Sequence, residues 1–93
     1  MSAKLLANDA MLGWGIGVSG GGSHLGRAIA LGLAALGATV VVFGRRREPL
    51  EETASLAAGL SGTIVPEPAD QHLDADLGRV LDRIEKEAGR VHG

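Results

Sequence analysis

The sequence predicts an α/β fold in which strands and helices alternate as βαβαβα around a parallel sheet. Two local patterns and their order predict it. The glycine-rich turn Val18-Ser19-Gly20-Gly21-Gly22-Ser23-His24-Leu25-Gly26 stands between an alternating apolar run and an amphipathic one. Residues 38–43, Ala-Thr-Val-Val-Val-Phe, form a continuous, β-branched run of the kind buried on both faces of a parallel sheet. Extended and helical patterns then alternate to residue 88, which implies right-handed crossover connections.

The elements follow in order. Residues 1–12 read as a weakly patterned lead-in tail, and 13–93 as the domain. In 14–19, Trp14, Ile16 and Val18 alternate with Gly15, Gly17 and Ser19, the period of a strand. Its glycines make it a poor strand by propensity. Residues 24–36 form a helix whose apolar stripe is expected at Leu25, Ile29, Gly32, Leu33 and Leu36, closed by Gly37. After the strand at 38–43, Gly44-Arg45-Arg46-Arg47-Glu48 is a polar turn. Pro49 suits the first position of a second helix over 50–60. Thr63-Ile64-Val65 starts a third strand, which Pro66 and Pro68 place at a sheet edge. Asp70–Ala88 reads as a third helix with Leu73, Leu77, Val80, Leu81, Ile84 and Ala88 on one face. Its acids come first and its bases last, matching the helix dipole. Gly89–Gly93 looks like the turn into a fourth strand.

Composition narrows the function. The chain has 93 residues, enough for one domain at most, with 45% apolar residues and a net charge of −2. That charge offers no basic surface for nucleic acid or anionic membrane. With Trp14 and Phe43 as its aromatics, the chain has no stacking platform for single strands. No cysteine is present, which removes disulfides, thiolate nucleophiles and zinc–thiolate sites. Three scattered histidines lack metal-site spacing, and His72 and His92 are expected to face solvent. The first residues do not read as a signal peptide, and no apolar run approaches the ~18 residues of a membrane span. A cytoplasmic location is the default expectation.

The glycine turn carries the chemistry. A strand ending in bare backbone before a helix N-terminus presents N–H donors and a positive dipole end to a phosphate. Three registers compete. Gly15, Gly17 and Gly20 satisfy G-x-G-x-x-G, but the last of them does not open a helix. Gly21 and Gly26 have P-loop spacing, but Arg27 and Ala28 stand where that motif needs Lys and Ser or Thr. The third register, Ser19-Gly20-x-x-x-His24-Leu25-Gly26, resembles the T-G-x-x-x-G-x-G motif of the short-chain dehydrogenase/reductase family. The resemblance continues collinearly through Arg27-Ala28-Ile29-Ala30, Leu36-Gly37-Ala38, Val40–Arg45, Leu50-Glu51-Glu52-Thr53, Asp70 and Gly89-Arg90-Val91. It covers residues 13–93.

That resemblance implies a partial Rossmann-like sheet with strand order 3-2-1, ending before strand 4. It also implies a nicotinamide dinucleotide as cofactor. The loop residues Ser19, Gly20, Gly22, Ser23, His24, Leu25, Gly26 and Arg27 would then hold it. So would Gly44 and Arg45 after the second strand, and Asp70 and Gln71 after the third. His24 departs from the family, which has glycine there. A position requiring positive φ would exclude close phosphate contact, whereas a helical one leaves the imidazole over the ribose or pyrophosphate. NAD-preferring members carry an acid at the end of the second strand, where Gly44 stands. Arg45, with Arg27 near, suits a 2′-phosphate, so NADP is expected over NAD. Asp70 would accept from the adenine amino group, serve as N-cap of the third helix, or do both.

The family's catalytic Asn, Ser, Tyr and Lys have no counterpart here. The chain has no tyrosine, and its lysines, Lys4 and Lys86, lie in no matching motif. The expected function is the cofactor-binding half of an NADP-dependent short-chain oxidoreductase, inactive alone. Its parent would be homo-oligomeric and would act on a carbonyl, hydroxyl or acyl-CoA-type substrate, since Glu48–Thr53 resembles members of that last class. The alternatives are a stand-alone dinucleotide-binding module without chemistry and a marginal fragment that associates through an open sheet edge.

Overall fold

The computed structural model describes residues 10–20 and 22–93. Most of the expected lead-in, residues 1–9, and Gly21 of the turn lie outside the described residues. Six elements follow one another: β1 (Gly15–Ser19), α1 (His24–Ala35), β2 (Thr39–Gly44), α2 (Arg47–Leu56), β3 (Thr63–Pro68) and α3 (Asp74–Ala88). The strands form a parallel sheet in the order β1-β2-β3, the expected 3-2-1 read from the other edge. Ala10–Gly13 form a turn before β1. Met11 there packs on the core, and its N–H donates to the Leu36 carbonyl at 2.7 Å.

β2 lies in the middle and is buried on both faces, as its β-branched run predicts. Val40 and Val42 point into one core with Val18, Ala30, Ala34, Leu50 and Ile64. Val41 and Phe43 point into the other with Val65, Ala69, Val80 and Ile84. These cores place α1 and α2 on one face of the sheet and α3 on the other, a three-layer arrangement.

β3 starts at Thr63 as expected and runs through Pro68, with both prolines within it. The Thr63 N–H donates to Ala38 and the Ala69 N–H to Gly44, so odd-numbered residues face β2. Pro66 and Pro68 therefore place their missing donors on the outer edge, where no ladder bond is lost.

The face of α1 differs from the expected one. Its buried residues are Gly26, Ala30 and Ala34, while Leu25 is 72% and Ile29 46% exposed. Small side chains at this spacing let the helix lie close against the sheet. Leu25 and Ile29 are turned aside, whereas Leu33 of the expected stripe, with Leu31, packs against the rim of the core. The helix ends as the sequence predicts. Gly37, at φ 99°, donates to Ala34, and Ala38 donates to Leu33, a paired C-terminal motif that needs the left-handed glycine.

Two helix starts also move. α2 begins at Arg47, so Pro49 is its third residue rather than its first. A proline is still tolerated there because first-turn N–H groups have no intrahelical acceptor. α3 begins at Asp74 with Leu73 as N-cap, so Asp70 does not cap it. The Asp70 carboxylate accepts instead from the His72 N–H at 2.9 Å and closes a tight turn before the helix.

β1 keeps its glycines for packing reasons. A β-carbon on Gly15 would lie 2.8 Å from both Ile84 Cγ2 and Ala88 Cβ, and closer still to the Arg90 carbonyl. One on Gly17 would lie 3.1 Å from Ile84 Cδ1. The strand forgoes side chains so that α3 can close against it.

Candidate functional site at the carboxyl ends of the strands

The carboxyl ends of β1, β2 and β3 converge on two adjoining clefts. The first, about 160 Å³, is lined by Ser19, Gly20, Gly44, Arg45, Ala69, Asp70, Gln71 and His72. The second, about 580 Å³, lies between the turn after β1 and the start of α2 and shares Gly20, Gly44 and Arg45 with the first. Arg45 also borders a third depression beside Asp70 and Asp76. Parallel α/β sheets bind ligands at this end because strand termini and helix N-termini meet there.

The turn is shaped by backbone demands. Gly20 sits at φ 69° and donates to the Phe43 carbonyl at 2.9 Å, ending the β1–β2 ladder. Ser23 is the N-cap of α1: its Oγ accepts from the Gly26 N–H at 3.2 Å and donates to the Gly20 carbonyl at 2.7 Å. A β-carbon on Gly22 would lie 2.5 Å from Pro49 Cβ, so bare backbone is required where the turn meets α2. His24 is the first residue of α1. Among the described residues positive φ occurs only at glycines, so His24 meets no left-handed requirement. Its side chain is exposed and lies outside the cleft linings. The two N–H groups of His24 and Leu25 open the first turn without intrahelical acceptors, the arrangement that receives an anion.

The sequence-predicted residues divide accordingly. Ser19, Gly20, Gly22, Ser23, Gly44, Arg45, Asp70 and Gln71 come together around the clefts. Leu25 points to solvent and Gly26 packs into the core. Arg27 reaches α2, where Nε donates to Thr53 Oγ1 at 2.9 Å and Nη2 to Glu52 Oε1 at 2.6 Å. Arg45 and Arg46 form no ion pair among the described residues. Sequence reasoning missed Arg46, Pro49, Leu50, Ala69 and His72 as lining residues. Their signal was positional: each lies within a few residues of the carboxyl end of a strand.

The loop after β3 is tied down on both sides. The Ser19 hydroxyl donates to Gln71 Oε1, spanning from β1 across the end of β2. The Asp70 N–H donates to Asp76 Oδ2 at 2.7 Å. That bond, with Arg79 beside it, holds the Asp76 carboxyl below its ordinary value against a smaller desolvation effect. Among the described residues no cluster of His, Cys, Asp and Glu is arranged to hold a metal ion. No helix there is long and apolar enough to cross a membrane.

A parallel sheet whose glycine turn feeds a helix N-terminus, with open clefts at the strand ends, defines a protein of the nucleotide-binding α/β class. The model of the short-chain dehydrogenases matches residues 16–93, and the chain belongs to the short-chain dehydrogenase/reductase family. Members of this family bind NAD(P) dinucleotides. An uncharacterised oxidoreductase of Caenorhabditis elegans is 38% identical over 75 residues, which cover 80% of this chain and 24% of that protein. A probable 2,4-dienoyl-CoA reductase of the same organism is 36% identical over 90 residues, 96% of this chain and 29% of the relative. Among solved structures, a citronellol catabolism dehydrogenase of Pseudomonas aeruginosa superposes with a TM-score of 0.79 at 36% identity. That match covers 90% of this chain and 36% of the other. A short-chain dehydrogenase/reductase of Mycobacterium marinum gives 0.81 at 28% identity, covering 98% and 36%. The chain spans about a quarter of the length of the curated relatives it matches.

Proposed function

We propose that this chain is the cofactor-holding part of an NADP-dependent short-chain oxidoreductase. Arg45 carries the reading. It stands at the end of β2 beside a residue with no side chain, borders both clefts and is engaged by no acid among the described residues. An NAD site would place a carboxylate at Gly44 to accept from the ribose 2′-hydroxyl. A β-carbon there would have only an ordinary contact, 3.8 Å from Leu50 Cδ2, so the missing acid is not a steric necessity. A 2′-phosphate beside Arg45 instead gains charge-assisted hydrogen bonds. Gly20, Gly22 and the first turn of α1 fit the pyrophosphate, and Asp70 and Gln71 flank the adenine end. Arg27 acts one step back, fixing α2 against the turn.

The dinucleotide, when bound, supplies or accepts the hydride, and the residues here bind and orient it. The chain has no tyrosine to serve as the family's acid/base, so alone it holds cofactor without turnover. In the parent the partner substrate is a carbonyl, a hydroxyl or an acyl-CoA-type compound. The relative named for 2,4-dienoyl-CoA reduction, matched over nearly the whole chain, supports the last of these.

Calorimetric titration with NADP, NAD and 2′-phospho-AMP tests the reading. Binding of NADP and 2′-phospho-AMP well above NAD is the expected result. Equal affinity for NADP and NAD, or no binding by the folded chain, would refute it.

A further inference from the structure

The outer edge of β1 carries a contact that the cofactor reading does not use. In a parallel strand, alternate residues turn their backbone groups to opposite sides. The Trp14 carbonyl and the Gly20 N–H bond toward β2, so Gly15, Gly17 and Ser19 face outward. Unpaired groups on such an edge invite adventitious pairing. His92 engages both outward groups of Gly15, sharing its carbonyl with the Gly93 N–H at 3.3 Å. The His92 N–H donates to the Gly15 carbonyl at 2.6 Å, and His92 Nδ1 accepts from the Gly15 N–H at 3.0 Å. The next rung is backbone alone: the Gly17 N–H donates to the Gly93 carbonyl at 2.6 Å. The imidazole thus takes the place of the carbonyl that a preceding strand residue would offer.

The ring is held in a second way. Trp14 stacks on it with centroids 4.9 Å apart and planes 17° from parallel. Trp14 is in turn anchored to the sheet, its carbonyl accepting from the Thr39 N–H at 2.9 Å. One constraint sets the plane of the imidazole and the other sets its position along the strand.

The geometry points to His92 as a positioning residue, a clasp that fixes the register in which the 91–93 segment adds, parallel, to the outer edge of β1. A strand laid on in that register runs toward Ser19 and Gly20, where the clefts open. A shift of one residue would turn its side chains to the wrong faces of the sheet. The clasp acts on the edge and not on the core, and it stands whether the cofactor is NADP, NAD or neither.

Amide exchange by NMR on the full chain, read beside the emission of Trp14, its one tryptophan, tests the clasp with His92→Ala and His92→Phe. Both variants lose the acceptor for Gly15, so Gly15 exchange should quicken by about tenfold, the scale of one lost hydrogen bond. The buried Val41 amide of β2 should keep its wild-type rate. His92→Phe retains a ring over Trp14, so acrylamide quenching should rise in His92→Ala and much less in His92→Phe. Unchanged Gly15 exchange in both variants would overturn the proposal. Equal acceleration at Gly15 and Val41 would also overturn it, since His92 would then act on the whole fold.

Discussion

Replacing Arg45 with alanine separates cofactor recognition from folding. The side chain is exposed and makes no ion pair among the described residues, so its loss removes no charged partner there. Surface substitutions of this kind leave stability within about 0.5 kcal/mol. What is lost is the contact with the 2′-phosphate. Hydrogen bonds to charged groups contribute ~1.5–3 kcal/mol, and fully exposed ion pairs ~1 kcal/mol or less. Arg45 lies at an open cleft, between these cases, so a loss of ~1–2 kcal/mol is expected, or about 5- to 30-fold in affinity. Titration of wild type and Arg45→Ala with NADP and NAD, each at low and high salt, reads this directly. The NADP affinity should fall by that factor and lose part of its salt dependence, while the NAD affinity should move by less than about twofold. An equal loss for both nucleotides would mean that Arg45 shapes the cleft rather than reading the phosphate, and the argument for NADP would fail.

Three further outcomes follow from the packing. Gly32 and Gly78 are helical, and a β-carbon at either would have nothing within 4 Å. Changing both to alanine should add about 2 kcal/mol and raise Tm by roughly 8–16 °C in a melt followed by circular dichroism. Gly15→Ala drives a β-carbon into Ile84, Ala88 and the Arg90 backbone, and should cost ~1–3 kcal/mol in denaturant titration. Asp76 is held below its ordinary value of 3.8, chiefly by the Asp70 N–H. Its contribution is therefore present above the usual carboxylate range and lost as pH falls through the lower folded value. Asp76→Asn should flatten the stability profile below about pH 4, read as Tm against pH.

The parts of the fold that were legible rest on pattern alone. The unbroken run at Val40–Phe43 needs burial on two faces, and the order of elements then dictates a parallel sheet. The face of α1 was not legible, because hydrophobicity and packing disagree there. Leu25 and Ile29 belong to the apolar stripe, yet the residues the sheet buries fully are Gly26, Ala30 and Ala34, where small size matters more than apolarity, with Leu31 and Leu33 at the rim. The start of α3 was misplaced because aspartate serves equally well as an N-cap and as the closing residue of a tight turn. At the site, Ser19, Gly20, Gly44, Arg45, Asp70 and Gln71 were named through the family resemblance, and they line one cleft because strand ends gather by topology. The partners of Arg27 were not, since Glu52 and Thr53 reach it only through the spacing of two helices.

The contact between Gly22 and Pro49 has a consequence for exchanging parts among related proteins. The turn after β1 rests on the first turn of α2, and Arg27 reaches that same turn, its Nη2 donating to the Pro49 carbonyl at 3.4 Å. The loop and α2 therefore behave as one mechanical piece, although 26 positions separate Arg27 from Thr53 in the chain. A graft of residues 19–26 from a relative would import a loop shaped for another helix. It should work only when residues 47–53 travel with it.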